Sequence, residues 1–180
     1  MNESSDCTEY DTDDEEFSDP IPVNLYQEPG QNATDGQLPL CSLFNARSVY
    51  NKADNLTELL SQICPDICMI SESWESERRR LNKILNSTQY KYTSCYRKNR
   101  APGGGCAILY NETRFSVTEL DIEAQEGVES FWDLFTPKSD GFQNLKVKRS
   151  AVGSFYISPK SRYKAETIEH IIQNINTLKA

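Results

Sequence analysis

A strand–helix–strand pattern between residues 38 and 74 constrains the fold of this chain more than any other feature. Two short apolar runs, Leu38–Phe44 and Ile67–Ile70, flank a helical pattern with apolar residues at i, i+3, i+4 and i+7 (Leu56, Leu59, Leu60 and Ile63). Such a unit is typical of two parallel strands joined by a crossover helix, whose carboxyl ends lie at one edge of a sheet. Asn45 and Glu72 follow these runs and are therefore expected to lie close together. An amide beside a carboxylate suits a hard cation and a phosphate oxygen; ordinary polar strand ends are the alternative.

The rest of the chain alternates between further strands and helices. A run of three glycines after Pro102 predicts a hairpin turn at which backbones approach closely, because it enters a strand and lacks the Lys-Ser/Thr of a phosphate loop. The order of elements indicates one half of a two-sheet α/β sandwich. The predicted elements are a polar helix at Ser76–Leu85, strands at Tyr90–Tyr96, Gly105–Tyr110, Phe115–Ile122, Ser130–Phe135 and Val147–Ile157, and a helix at Ala165–Leu178.

Four segments in register carry a resemblance to a known family. They are Leu43–Lys52 (LFNARSVYNK), Pro65–Trp74 (PDICMISESW), Gly103–Tyr110 (GGGCAILY) and Ala151–Pro159 (AVGSFYISP). Together they closely resemble the endonuclease domain of non-long-terminal-repeat retrotransposons, which belongs to the endonuclease/exonuclease/phosphatase superfamily together with the apurinic endonucleases. The resemblance implies a four-layer α/β sandwich over residues 38–180, incomplete here because most of the second sheet is expected to be missing.

The resemblance also implies roles for three residues. Glu72 would bind a divalent metal ion, usually Mg²⁺. Asn45 would arrange the phosphate and the attacking water, and Tyr156, shortly before Pro159, would contact the scissile phosphate. Two further motifs of the family, an Asp-Phe-Asn-like and a Ser-Asp-His-like strand end, are absent from the 180 residues.

These absences determine the expected function. We expect a truncated metal-dependent DNA endonuclease domain that is inactive as this chain, because several groups that place and activate the attacking water are missing. A non-catalytic nucleic-acid-binding module and a fragment without a function of its own are the alternatives. His170 is the only histidine in the chain, but it lies beside an apolar stripe of the last predicted helix (Ile168, Ile171, Ile172 and Ile175). This position indicates a helix-surface residue, not a catalytic one.

Charge is distributed unevenly along the chain. Residues 1–46 contain 11 of the 27 acidic residues and no Lys or Arg, whereas residues 47–180 contain 16 acidic and 19 basic residues, a net charge of +3. Residues 1–37 are predicted to be a disordered acidic tail, either a leader without a partner or a nucleic-acid mimic that shields the basic domain. Arg97, Lys98 and Arg100 are the predicted DNA-binding residues, through phosphate contacts that depend on salt more than on sequence. Solvated surface charge is the alternative for each basic cluster.

The six cysteines form no zinc-binding pattern, and four of them lie within or beside apolar strands, which indicates reduced core residues. No apolar run is long enough to span a membrane, and no secretory signal peptide is evident. We therefore expect an intracellular protein, nuclear or cytoplasmic, whose partner is DNA. The sequence indicates nothing about its oligomeric state.

Overall fold

The computed structural model describes residues 38–77, 79–86, 88–96, 103–124, 128–138, 149–158 and 164–178. Within these ranges the chain forms two β-sheets, three α-helices and a short 3₁₀ turn at Tyr50–Lys52. In chain order the strands and helices are β1 (Cys41–Asn45), α1 (Ala53–Ile63), β2 (Ile67–Ser71), α2 (Asn82–Leu85), β3 (Tyr90–Cys95), β4 (Cys106–Asn111), β5 (Phe115–Leu120), β6 (Glu129–Pro137), β7 (Ser150–Tyr156) and α3 (Lys164–Leu178).

The first sheet contains β1, β2, β4 and β3 in that spatial order. Strands β1 and β2 pair in parallel with Asn45 opposite Ser71, which confirms the arrangement predicted from the strand–helix–strand pattern. The crossover helix α1 buries Leu56 and Leu60 against one face of this sheet, as the apolar spacing predicts. Cys64 caps the end of the helix with a left-handed backbone, and its N–H donates to the Leu60 carbonyl oxygen at 3.1 Å.

A second sheet packs against the other face of the first. It consists of β5, β6 and β7 in an antiparallel arrangement with β6 in the centre. Phe131 and Phe135 of β6 are buried with Ile108 of β4 in the layer between the sheets. The same layer contains Asp133, which is fully buried and accepts a hydrogen bond from the Thr93 hydroxyl of β3. This face-to-face packing confirms the predicted two-sheet α/β architecture, and the second sheet has three described strands.

A buried ion pair stabilises the end of the sandwich at which β1 and β2 begin. The Asp66 carboxylate, just before β2, accepts the Leu40 N–H at 2.8 Å and forms a charge-assisted hydrogen bond with Arg114. The Asp66 carbonyl oxygen accepts the N–H of Asn111 at 3.0 Å. Asp66 therefore connects the approach to β1, the start of β2 and the turn between β4 and β5.

The prediction of a polar helix at Ser76–Leu85 is wrong for most of that segment. The backbones of Ser76 and Arg79 exchange two hydrogen bonds of 3.1 Å, which is not a helical pattern. The Glu75 carboxylate accepts the N–H of Leu81 at 2.8 Å. Because this contact occupies a backbone donor that a helix would use, only the last turn of the predicted segment is helical.

The last strand is less buried than the sequence predicts. Val147–Ile157 is predicted to be a buried strand that loses a neighbour because most of the second sheet is missing. In the structure β7 lies at the edge of the described three-stranded sheet, and residues 147 and 148 lie outside the described ranges. Along β7 only Ser154 is buried. The difference arises because β6, and not β7, has a neighbour on each side in the part of the chain that the structure describes.

The helix α3 presents most of its apolar stripe outward. Ile168 and Ile172 are more than half exposed, whereas Thr167 is fully buried and His170 is half-buried. The His170 Nε2–H donates to the carbonyl oxygen of Glu123 at 3.1 Å, which docks the helix onto the segment after β5. His170 is thus a helix residue, as predicted, but a half-buried one. No helix within the described ranges is long and apolar enough to cross a membrane.

Candidate functional site at the carboxyl ends of the parallel strands

The carboxyl ends of β1 and β2 lie side by side at one edge of the first sheet. Asn45 is the last residue of β1 and is exposed, whereas Glu72 directly follows β2 and is half-buried. Pairing continues beyond the strands, because the N–H groups of residues 46, 48 and 49 donate to the carbonyl oxygens of residues 71, 72 and 73 at 2.9–3.1 Å. The structure therefore places Asn45 and Glu72 at neighbouring positions of one edge. We call this edge, residues 45–49, 71–75 and 103–105, the rim.

The backbone of the rim is strained at four residues. Arg47, Ser48, Glu72 and Trp74 have φ angles of 41°, 81°, 54° and 52°, in the left-handed region that residues with a side chain rarely adopt. The remaining described non-glycine residue of this kind is Cys64, which caps α1. Such residues cost free energy and persist only where the surrounding structure enforces them, typically at functional sites. Their concentration on both sides of Asn45 and Glu72 marks the rim as the candidate site.

The glycine run Gly103–Gly105 lets a third backbone approach the rim. All three glycines have left-handed φ angles, between 79° and 87°. The N–H of Ser73 donates to the Gly105 carbonyl oxygen at 3.2 Å, and the N–H of Trp74 donates to that of Gly104 at 3.0 Å. A Cβ atom at Gly105 would lie only 2.7 Å from the Ser73 Oγ. The close backbone approach predicted for the glycines is confirmed, and the strand that follows them pairs with β3 as the predicted hairpin.

The second sheet reaches the rim through Glu129, a contact that the sequence did not predict. One oxygen of the Glu129 carboxylate, Oε2, accepts the N–H of Gly105 at 2.6 Å. Glu129 is the first residue of β6 and lies opposite Tyr156, the last residue of β7. Tyr156 is half-buried and packs against the core between the sheets. The structure thus places Tyr156 at the same end of the sandwich as Glu72, although no sequence pattern marks Glu129.

A cluster of arginine and tyrosine side chains borders the rim. The Glu75 side chain is fully buried and lies 3.8 Å from the Arg80 guanidinium, which stacks 4.8 Å from the centre of the Tyr96 ring. The Arg79 guanidinium lies 5.9 Å from the Tyr50 ring, and the Tyr50 hydroxyl donates to the Arg80 carbonyl oxygen at 2.8 Å. Burial, followed by the negative charge of Glu75, raises the pKa of the Tyr50 hydroxyl, which keeps it a neutral donor. The cluster places two guanidinium groups and flat rings around Glu75, three residues after Glu72.

Several predicted features lie outside the described residues. They are Arg97, Lys98 and Arg100, the predicted DNA-binding residues, and the acidic segment 1–37. None of the five cysteines in the described ranges forms a disulfide. Burial raises the pKa of the Cys106 thiol to about 12, so this cysteine stays protonated in the core.

Glu72 is the residue of the rim best suited to hold a metal ion. The described ranges contain no group of three or more His, Cys, Asp or Glu side chains that could bind a metal. Within the same ranges the half-buried Glu72 carboxylate forms no hydrogen bond or ion pair, whereas Glu129 is engaged by Gly105. Mg²⁺ is commonly held by one or two carboxylates together with substrate phosphates. The donor set therefore fits an ion that is shared with a phosphate, not one enclosed by protein alone.

The sequence matches no protein-family model and no curated protein. The fold, however, resembles solved structures. The human Nocturnin catalytic domain with a bound sulfate anion has a TM-score of 0.54 at 13% identity, over 81% of this chain and 60% of that one. The Neisseria 3′ phosphatase NExo, bound to a product DNA hairpin, has a TM-score of 0.55 at 16% identity, over 79% of this chain and 53% of that one. An AP endonuclease from Archaeoglobus fulgidus has a TM-score of 0.52 at 19% identity, over 74% of this chain and 49% of that one.

These likenesses establish the fold of the chain. It is the fold of the endonuclease/exonuclease/phosphatase enzymes, as the four sequence segments indicated. The chain spans about half the length of the solved structures that it matches. Identities below 20% carry no residue-level assignment, so the roles of Asn45, Glu72 and Tyr156 stay predictions.

Proposed function

We propose that residues 38–180 are the amino-terminal part of a metal-dependent DNA endonuclease domain of the retrotransposon type, which binds a phosphodiester at the rim. One observation carries the proposal: an amide and a carboxylate that form no hydrogen bond or ion pair with the described residues lie at adjacent ends of parallel strands, on a strained backbone. The four segments that resemble retrotransposon endonucleases support the type. The solved NExo structure with a product DNA hairpin supports a nucleic acid as the substrate class.

The proposal gives a task to Glu72 and Asn45 of the rim and to Tyr156, which lies at the same end of the sandwich. Glu72 would hold Mg²⁺ together with a phosphate oxygen, and the ion would supply charge neutralisation at the phosphate and a lower pKa for a bound water molecule. The Asn45 amide donates to a phosphate oxygen and orients the group for in-line attack. The Tyr156 hydroxyl donates to another phosphate oxygen, on the same side as Glu129.

We also propose that the 180-residue chain does not cleave DNA by itself. Its sequence contains neither the Asp-Phe-Asn-like nor the Ser-Asp-His-like motif, so the groups that orient and deprotonate water are missing. Loss of one general base typically lowers the rate by about 10²–10⁴-fold, and here several groups are missing. The second candidate function is therefore a non-catalytic nucleic-acid-binding module. The cluster around Arg79 and Arg80 favours it, because phosphate binding needs positive charge but no water activation.

A plasmid-nicking assay with Mg²⁺ tests the proposal. The 180-residue chain is expected to bind a labelled DNA at low salt and to nick supercoiled plasmid no faster than its Glu72→Gln variant. Glu77→Gln, which changes an exposed carboxylate five residues away, is the matched control. Nicking by the wild type that Glu72→Gln abolishes and Glu77→Gln preserves would contradict the inactive assignment and establish the enzyme. Absence of DNA binding at low salt would contradict both candidate functions.

A longer form of the protein that carries both missing motifs extends the test. Such a form is expected to nick plasmid DNA, and Asn45→Ala and Tyr156→Phe are each expected to reduce the rate. If nicking is restored and neither substitution lowers its rate, the activity does not depend on these residues and the proposed site is wrong.

A further inference from the structure

Trp74 is held at the rim with its indole ring toward solvent. The side chain is 40% exposed, whereas the second tryptophan, Trp132, is buried in the domain. Its backbone is strained, with φ at 52°, and its N–H donates to the Gly104 carbonyl oxygen at 3.0 Å. A Cβ atom at Gly103 would lie 3.7–4.0 Å from three atoms of the indole, so the glycine backbone lies against the ring and supports it. A large aromatic ring fixed in this way has one side available for a ligand.

Cationic and aromatic groups adjoin this ring through the glycine run. Tyr96 directly follows β3, whose last residue, Cys95, pairs with Cys106 immediately after the glycines. The Cys95 carbonyl oxygen lies 3.4 Å from the position that a Gly105 Cβ atom would occupy, so Tyr96 and Trp74 border the same short segment. Arg80 stacks on the Tyr96 ring with its guanidinium 4.8 Å from the ring centre. A positive charge thus accompanies the exposed aromatic surface.

The position of Trp74 along the chain relates it to the proposed phosphate site. Trp74 is two residues from Glu72, and two residues span at most about 7 Å. A ligand group stacked on the indole therefore lies within the reach of one nucleotide from a phosphate at Glu72. Flat apolar rings with adjacent guanidinium groups are the chemistry that recognises nucleobases and their phosphates.

We infer that Trp74, Arg80 and Tyr96 form a stacking site, here called the Trp74 platform, for an unpaired nucleobase of single-stranded DNA. The inference rests on the proposed function and deepens it, because it names the substrate class of the rim. A base within an intact duplex is covered on both faces by its neighbours. The Trp74 platform therefore selects strands whose bases are free to leave the stack, such as single strands and unpaired ends.

A pair of oligonucleotides with equal charge tests this inference. The dissociation constant of the 180-residue chain is measured by fluorescence anisotropy for a thymidylate decamer and for a decamer of abasic sites, at low salt with EDTA. The two strands carry the same number of phosphates, so a difference between their dissociation constants is caused by the bases. Stacking predicts that the wild type prefers the thymidylate strand by about 5- to 100-fold.

Substitutions of Trp74 test whether its indole ring causes the preference for the thymidylate strand. Trp74→Ala is expected to remove the preference while leaving the affinity for the abasic strand unchanged, and Trp74→Phe is expected to retain most of it. Leu43→Ala, which changes an apolar side chain that is 73% exposed on β1, is the control and should keep the full preference. Urea unfolding of each variant confirms that the folded state is compared.

The outcomes distinguish the inference from the function on which it rests. Equal affinity of the wild type for the two strands overturns the Trp74 platform but leaves phosphate binding intact. A folded Trp74→Phe variant that has lost as much preference as Trp74→Ala overturns aromatic stacking as the source of the preference. A folded Trp74→Ala variant that keeps the wild-type preference overturns the inference. Failure of the wild type to bind either strand overturns the proposed function itself.

Discussion

Replacing Asp133 by Asn is expected to stabilise the folded chain by about 3 kcal/mol at neutral pH. Asp133 is fully buried between the sheets, where its Oδ2 accepts the Thr93 hydroxyl and its Oδ1 has no hydrogen-bond partner. Burial raises the pKa of this carboxyl from 3.8 to about 6, and the charge of Glu119, directly opposite on β5, acts in the same direction. Because each pKa unit corresponds to about 1.4 kcal/mol, the ionised group costs the folded state about 3 kcal/mol. Asn keeps an acceptor for Thr93 and carries no charge.

The sign of the effect gives the prediction its pH dependence. The pKa of Asp133 is higher in the folded state than in the unfolded one, so this group favours folding below pH 3.8, and the contribution is lost as pH rises through about 6. The free-energy difference between Asp133→Asn and the wild type should therefore be near its maximum at pH 7.5 and decline toward pH 4.

Urea unfolding followed by tryptophan fluorescence at pH 4, 5, 6 and 7.5 measures this difference. The control is Asp121→Asn, which changes an exposed carboxylate shortly after β5 and should show no such trend. A variant that is less stable than the wild type at pH 7.5, or a difference that does not change with pH, would refute the reasoning.

Two further substitutions test the packing of the rim and the opposite end of the sandwich. Gly105→Ala is expected to lower the free energy of unfolding by more than about 2 kcal/mol, because its Cβ atom would lie 2.7 Å from the Ser73 Oγ at a φ of 80°. Gly103→Ala, whose Cβ atom would make ordinary contacts at a φ of 87°, should lower the free energy of unfolding only by the backbone strain of about 1 kcal/mol. Equal urea midpoints for the two variants would contradict the close approach of Gly105 to Ser73. Arg114→Met should cost about 3 kcal/mol, because it leaves the buried Asp66 carboxylate without its cation. Adding Asp66→Asn should recover part of that loss, and a double variant no more stable than the single one would argue against the ion pair.

Local periodicity in the sequence predicted the elements that position the site. The apolar spacing of α1 and the runs on either side of it were sufficient for the parallel pairing of β1 with β2, because crossover connections of this length have few alternatives. The glycine run likewise predicted a hairpin with close backbones, since three left-handed residues in succession require glycine. These features depend on neighbours in the chain, and sequence patterns record such neighbours directly.

Contacts between segments that are distant along the chain could not be predicted from the sequence. The Glu129 carboxylate that holds Gly105 lies 24 residues away, and nothing around residue 129 distinguishes it from a surface glutamate. The Ser76–Leu85 segment has the composition of a helix, but the buried Glu75 side chain accepts the Leu81 N–H, and a pair of backbone hydrogen bonds between Ser76 and Arg79 replaces the first part of the helix. Side-chain acceptors that compete with regular backbone hydrogen bonds are decided by packing, so propensity alone gives the wrong element.

The hydrogen bonds that build the rim also determine when it can appear during synthesis. Its backbone contacts run from residue 48 to residue 72, from residue 73 to residue 105, and from residue 105 to the Glu129 side chain. Closing loops of this length is costly before the contacts form, so such sites mature late in folding. A nascent chain that already contains Asn45 and Glu72 still lacks the segments that hold them, because chains emerge from the ribosome amino terminus first. The site is therefore assembled only after residue 129 has left the ribosome, and until then the strand ends are separate pieces of backbone.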